Sequence, residues 1–171
     1  MADSGIIQFA VYENGTDYLG MAKIQLPDYN YKTHTVNGVG IAGDVTVPVV
    51  GHMEAMTCTI EFLDSPTSAR VLNEYRRHII DIRAAHEAYN PTSGKFEVHA
   101  YKHILEIAPL QMTQGSLAPH SQQATKNQYT VFKSEDYIDG ALVQKYDPLN
   151  YVHIDNSGTD RLAEVRTALG K

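Results

Sequence analysis

Met56, Cys58, Ile60 and Phe62 alternate with Ala55, Thr57, Thr59 and Glu61, and this run within Met53–Leu63 is the clearest two-residue period in the chain. Successive side chains of a strand point to opposite faces, so the run predicts a strand with one buried and one wet face, as antiparallel sheets require. Ile6–Tyr12 is a short apolar run that ends at Glu13-Asn14-Gly15, where Asn-Gly predicts a tight turn. Asp17–Leu26 then resumes as its hairpin partner and closes at Pro27-Asp28. Tyr29–Val36 sets Tyr29, Tyr31, Thr33 and Thr35 against Asn30, Lys32, His34 and Val36. His78–Tyr89 sets Ile80, Ile82 and Ala84 against Asp81, Arg83 and Glu87; after the turn Asn90–Gly94, Lys95–Ile107 returns to complete a long hairpin. Pro109 predicts a bend or bulge, with Leu110–Leu117 extended beyond it. Ala118–Asn127 reads as a polar loop. Gln128–Lys133 and Tyr137–Tyr146 read as two strands divided near Ser134-Glu135-Asp136, and Tyr151–Ile154 as a short last strand.

The helical period occurs twice. Ser65 is a good N-cap and Pro66 a good first residue for a helix over about Pro66–Arg77, with Val71, Leu72 and Tyr75 on its packing face and Arg70, Glu74 and Arg77 outside. A terminal helix is expected over Asp160–Leu169, capped by Thr159, stopped by Gly170, and packed through Leu162, Val165 and Leu169. Strands follow one another through turns without βαβ alternation. The expected class is therefore mainly β: an antiparallel sandwich or barrel with one flanking helix and a C-terminal helix, in a single domain over residues 1–171.

Composition narrows the chemistry. The chain has 171 residues, 43% hydrophobic and 20% charged, which suits a folded globular protein. Its formal net charge of −6 argues against a general nucleic-acid-binding surface. The lone Cys58 falls on the apolar face of its strand, where a buried structural thiol is expected. No segment approaches the roughly 18 apolar residues of a membrane span, and Met1–Gly5 does not read as a signal peptide, so no membrane anchor is expected.

Gly38-x-Gly40-x-x-Gly43 matches the dinucleotide-binding fingerprint in form only. That fingerprint needs a helix after the glycines to carry the pyrophosphate. Asp44–Val50, with β-branched residues and Pro48, reads as extended chain instead. The loop is then either a hairpin connection or an apolar, glycine-rich arm, about Val36–Met53, that orders against a neighbouring subunit. Eight histidines invite a metal site, but His99 and His103, four apart on one strand, are separated by roughly 13 Å and cannot share an ion. A metal would need ligands from several strands, as in a cupin-like metal-dependent enzyme; that alternative stays open beside ordinary half-buried histidines. No nucleophile or phosphate-cradling motif is present. No cofactor and no catalytic residue are expected.

Three stretches in order resemble the major tail tube protein of contractile-tailed bacteriophages: Asn14-Gly15-x-x-Tyr18-x-Gly20-x-Ala22-Lys23-x-x-Leu26-Pro27; the glycine loop with Pro48, leading into Met56–Phe62; and Asp160-Arg161-Leu162-x-x-x-Arg166-x-x-Leu169-Gly170. The resemblance implies a non-enzymatic structural subunit. Six copies would close a ring, their strands forming one continuous barrel around a lumen, and rings would stack into a hollow tube. The arm, with Gly38, Gly40, Gly43 and Pro48, would reach adjacent subunits. The tube would sit inside a sheath protein, be built around a tape-measure protein between baseplate and tail-terminator proteins, and conduct double-stranded DNA without binding it specifically. Related tubes occur in phage-tail-like bacteriocins and secretion systems. The implied location is the virion, after assembly in the host cytoplasm. Thr57, Thr59 and Glu61 are the candidate lumen residues; lumen acids would repel phosphates and let DNA slide.

Overall fold

A computed structural model describes residues 2–20, 22–38, 40, 42–63 and 67–171. Eleven strands, all paired antiparallel, make up most of it. The centre is a long hairpin, β7 (His78–Asn90) and β8 (Lys95–Gln111), in register from His78↔Ile107 to Asn90↔Lys95. β1 (Ala2–Glu13) lies along the other edge of β7, and β9 (Thr125–Ile138) along the other edge of β8. Pro109 sits at a register shift between β8 and β9, where a residue lacking an N–H does least damage to a ladder.

β9 is where the sheet divides. A bulge between Glu106 and Ile107 leaves Phe132 without an opposite number. On the far edge of β9, Thr125–Val131 pairs with β6 (Met56–Phe62), whereas Ser134–Ile138 pairs with β10 (Ala141–Asp147). β6 in turn pairs with β3 (Ala22–Gln25), and β10 with β11 (Val152–Ile154). Alternation in β6 is realised residue by residue: Met56, Cys58, Ile60 and Phe62 are buried. Ile60 and Ile80 are both fully buried although β6 and β7 never pair, so the sheet curls until its apolar face packs on itself, with Leu19 and Leu72 from connections filling the interior. The curl does not close: among the described residues the outer edges of β3 and β11 have no partner strand.

Several expected boundaries move, each for a local reason. The first hairpin shrinks to β2 (Asp17–Tyr18), paired with Tyr12 and Glu13; β3 leaves it for β6. Ser134-Glu135-Asp136 does not interrupt a strand. Ser134 Oγ lies 2.7 Å from the Tyr29 hydroxyl, Glu135 accepts Lys133 and Lys145, and Asp136 faces His103 Nδ1 at 2.7 Å, so each polar group is satisfied within β9. The break comes at Asp139-Gly140, whose φ values of 49° and 83° build the tight turn that hairpin twist prefers.

The internal helix is only α1 (Thr67–Val71); Ser65 and Pro66 lie outside the described residues. Beyond it the Asn73 side chain accepts from Asn127 Nδ2, and His78 Nε2 meets the Glu74 carbonyl, a backbone group a longer helix would use. Leu72 is buried as expected, but Tyr75, expected to pack, is 98% exposed. The terminal helix, α2 (Ala163–Ala168), starts later than expected. Thr159 does not cap it; Asp160 instead accepts the backbone N–H groups of Leu162 and His153. Leu162 is buried, Val165 half-buried, and Leu169 56% exposed rather than packed.

Candidate assembly surfaces

The glycine-rich stretch is the tip of a separate two-stranded ribbon, β4 (Tyr31–Val36) and β5 (Val45–Met53), paired from Tyr31↔Met53 to Val36↔Val45. A strand follows the glycines, not a helix. Gly38, Gly40 and Gly43 have open space around them; Val39 and Ile41 lie outside the described residues. Pro48 lies within β5 opposite Thr33, on a strand that among the described residues pairs with β4 alone, where its missing N–H is tolerated. β4 is exposed on almost every residue, and Val45 and Val50 of β5 are exposed. A two-stranded ribbon with both faces wet is marginal alone.

The ribbon is anchored at its base. The Tyr29 hydroxyl sits on Ser134, and burial pushes its pKa up to about 12. The Glu54 N–H donates to the Asn30 carbonyl at 2.7 Å, and the Met53 N–H donates to the Tyr146 hydroxyl at 3.3 Å. Gly51 has φ 65° and lies so close to Leu162 that a Cβ there would collide with that side chain. The expected helix anchor Leu162 therefore packs against the ribbon. His153, 2% exposed, stacks on Tyr31 (centroids 5.9 Å apart) and meets Tyr146 edge-on at 5.5 Å. A cavity of about 350 Å³ opens here between Pro48–Gly51 of the ribbon and His153, Asp155 and Arg161 of the C-terminal segment.

A second surface lies at the far end of the β7–β8 hairpin. No described strand pairs with the outer edge of β1 between Gly5 and Ala10, nor with β8 between Lys95 and Ala100. These edges flank the same hairpin on opposite sides. Ile6 (60% exposed), Ile7, Phe96 and Val98 (both 65%) stand out from them, and Tyr89 packs on Phe96. Sequence reasoning missed this end. The Ile6-Ile7 and Phe96-x-Val98 runs were legible, but only pairing shows that they border open edges.

The candidate lumen residues occupy the wet face of β6. Thr57 is exposed and Thr59 half-buried, beside Gln25 and Gln128. The hydrogen bond from Lys126, at 2.9 Å, holds the Glu61 carboxyl below the usual carboxylate range, so this acid is already paired. His99 and His103 do not converge: each faces its own carboxylate, Asp139 at 2.8 Å and Asp136 at 2.7 Å. Among the described residues no three metal-ligating side chains form a group that could hold an ion. Burial raises the Cys58 thiol to about 12, which leaves no reactive thiolate near neutral pH.

The family model for phage tail tube protein FII matches residues 3–170, and the chain belongs to that family. Its fold is similar to a chain in the cryo-EM structure of the sheath/tube terminator of an extracellular contractile injection system, PVC, in the extended state. The TM-score is 0.52 and the identity 13%, over 77% of this chain and 94% of that one. A chain of the sheath–tube complex of the same system aligns with a TM-score of 0.49 at 16% identity, over 78% of this chain and 89% of that one. No curated protein matches. The family fixes the role as a structural component of a tail tube, and hence of a virion or related particle.

Proposed function

We propose that this member of the tail tube family is the repeating unit of a hollow conduit: six copies join edge to edge into a ring, and rings stack. The observation that carries the proposal is the pair of open edges on opposite sides of one hairpin end. The β1 edge of one copy can add to the β8 edge of the next. Such a head-to-tail contact uses two different patches and so generates a ring when the rotation closes. Pairing would also cover Ile6, Ile7, Phe96 and Val98, and would remove the aggregation hazard of an exposed apolar edge. The ribbon from Tyr31 to Met53, with Gly38, Gly40, Gly43 and Pro48, then serves as the arm between neighbours or successive rings, gaining there the second layer it lacks.

Ring closure would give the lumen a wall built from many copies. The β6 face is hydroxyl- and amide-rich at Thr57 and Thr59, beside Gln25 and Gln128, and carries Lys23 and Lys126 on either side of Glu61. Double-stranded DNA would slide along it with few counterion-releasing contacts, since Glu61 offsets the lysines. A sheath outside, a tape measure during assembly, and terminator and baseplate proteins at the ends are the partners such a tube implies, with assembly in the host cytoplasm. The likeness of fold to a component of an extracellular contractile injection system favours one second reading, a tube with cargo other than DNA. Electron microscopy of the concentrated full-length protein tests the proposal. Rings or tubes of uniform width are expected, and Phe96→Lys/Val98→Lys, which places charge on the β8 edge, should abolish them while far-ultraviolet circular dichroism stays unchanged. Rings that survive the double substitution would overturn the edge assignment.

A further inference from the structure

The base of the ribbon holds a buried histidine whose ring has no hydrogen-bond partner on either nitrogen. His153 Nδ1 and Nε2 are both inaccessible and both unpartnered. The ring is clamped between Tyr31, which begins β4, and Tyr146, whose hydroxyl accepts the Met53 N–H at the end of β5. The same imidazole thus touches the anchors of both ribbon strands. Beside it, Gly51 rests on Leu162.

We propose that His153 is an acid-sensitive latch for the β4–β5 ribbon: neutral, it packs between Tyr31 and Tyr146 and keeps the ribbon docked; protonated, it releases it. An imidazolium has two N–H donors and needs acceptors or water for both. Neither is available in the docked ring, and a charge buried without partners is costly. The carboxylates nearby are already engaged. Asp155 is held by Ser157 and Arg161, and Asp160 accepts the backbone N–H groups of His153 and Leu162 and pairs with Arg166. Tyr31 and Tyr146 are the groups facing the ring from β4 and β10, and Gly51 of β5 brings no charge. The tyrosine rings offer the cation some attraction through their π faces. Asp155 and Asp160 also favour the charged form. Burial outweighs them, helped by the Arg161 charge, and holds His153 below the ordinary histidine value.

The sign follows from proton counting. The undocked ribbon leaves His153 in water, where it titrates near its ordinary value of about 6.5. The docked state binds its proton only at lower pH. Docking is therefore full above the ordinary value and weakens as pH falls through it towards the docked value. Lifting Tyr31 uncovers the ring beside the already open 350 Å³ cavity and exposes both ring nitrogens to solvent. That the freed ribbon then engages another copy rests on the arm reading above. The latch itself belongs to one chain.

Amide hydrogen exchange of the dilute, unassembled full-length protein, followed by mass spectrometry and corrected for the intrinsic rate, reads docking directly. Between pH 7.5 and 5.5, peptides spanning residues 31–53 should lose protection, by at most about tenfold, the limit set by one proton binding only to the undocked state, while those of β7 and β8 keep theirs. His153→Phe retains a ring between the two tyrosines without a titrating nitrogen, and its ribbon protection should not vary with pH. His153→Leu serves the same purpose should the phenylalanine prevent folding. A ribbon insensitive to pH in the natural chain, or equally sensitive in the non-titrating variant, would overturn the latch. Neither result bears on whether copies form rings, which microscopy decides separately.

Discussion

β5 and β6 are neighbours in sequence, two residues apart, and both are rich in apolar residues at alternate positions. They meet opposite fates. β6 pairs on both edges, with β3 and β9, and buries Met56, Cys58, Ile60 and Phe62 in the core. β5 pairs on one edge only, with β4, and leaves Val45 and Val50 in water. Alternation therefore states which face of a strand wants cover and leaves open what supplies it. In β6 the cover comes from the same chain. In β5 the chain covers only the base, at Gly51 and Met53, and among the described residues leaves Val45 and Val50 without cover, which is what a subunit completed by its neighbours would look like.

Substituting one apolar residue in each strand should separate these roles. Ile60→Ala removes fully buried methyl groups from the centre of the core and should cost about 3–4 kcal/mol in urea unfolding of the unassembled protein. Val45→Ser, near the tip of the ribbon, should change that stability by no more than about 0.5 kcal/mol yet raise the concentration at which rings or tubes appear. If Val45→Ser unfolds the monomer as readily as Ile60→Ala, the two strands are alike and the comparison fails.

A smaller effect is expected where the two regions meet. Gly51→Ala puts a methyl group into Leu162 at a backbone conformation with φ 65°. Overpacking and the left-handed backbone together should cost about 2–3 kcal/mol, expressed as lost hydrogen-exchange protection of residues 31–53 rather than of β7 and β8. Leu162→Ala added to Gly51→Ala should restore part of that protection by making room, a coupling the two sites would not show if they were independent.

How much of this the sequence carried depends on the range of the interaction. The period of β6, the β7–β8 hairpin, the Asn-Gly turn and the irregularity at Pro109 are written in neighbouring residues and were legible. The path of β9 was not. Ser134, Glu135 and Asp136 look like a loop because the partners that satisfy them, Tyr29, Lys145 and His103, lie on distant segments. The same blindness contributed to the overlong internal helix, since Asn73 is engaged by Asn127 from far along the chain, although the Glu74 carbonyl is taken by His78 only four residues on. Of the candidate assembly residues, the glycines were recognisable as a loop and Leu162 as a packing residue. That Leu162 packs on Gly51, and that His153 rests between two tyrosines of the ribbon base, appears only once the chain is folded.

The mildest test concerns the stem of the ribbon. Tyr29→Phe keeps the ring against the core and removes the hydroxyl that meets Ser134 at 2.7 Å and lies 3.4 Å from Asp136. Losing one such hydrogen bond should cost about 1 kcal/mol. The substitution should also change the alkaline limb of stability. Burial raises the Tyr29 phenol from its ordinary value to about 12, so between about pH 10 and that value the unfolded chain releases a proton that the folded chain retains. Folding then becomes less favourable as pH rises through this window, and the contribution is fully present only below it. Tyr129, held up to about 12 by its own burial, adds a second slope of the same sign from the core. Unfolding midpoints measured from pH 9 to 11 should thus fall less steeply in Tyr29→Phe than in the natural protein, with part of the slope remaining. An unchanged slope would mean that Tyr29 is solvated, and that the ribbon is held to the body by the contacts of Gly51 with Leu162, Tyr31 with His153 and Met53 with Tyr146.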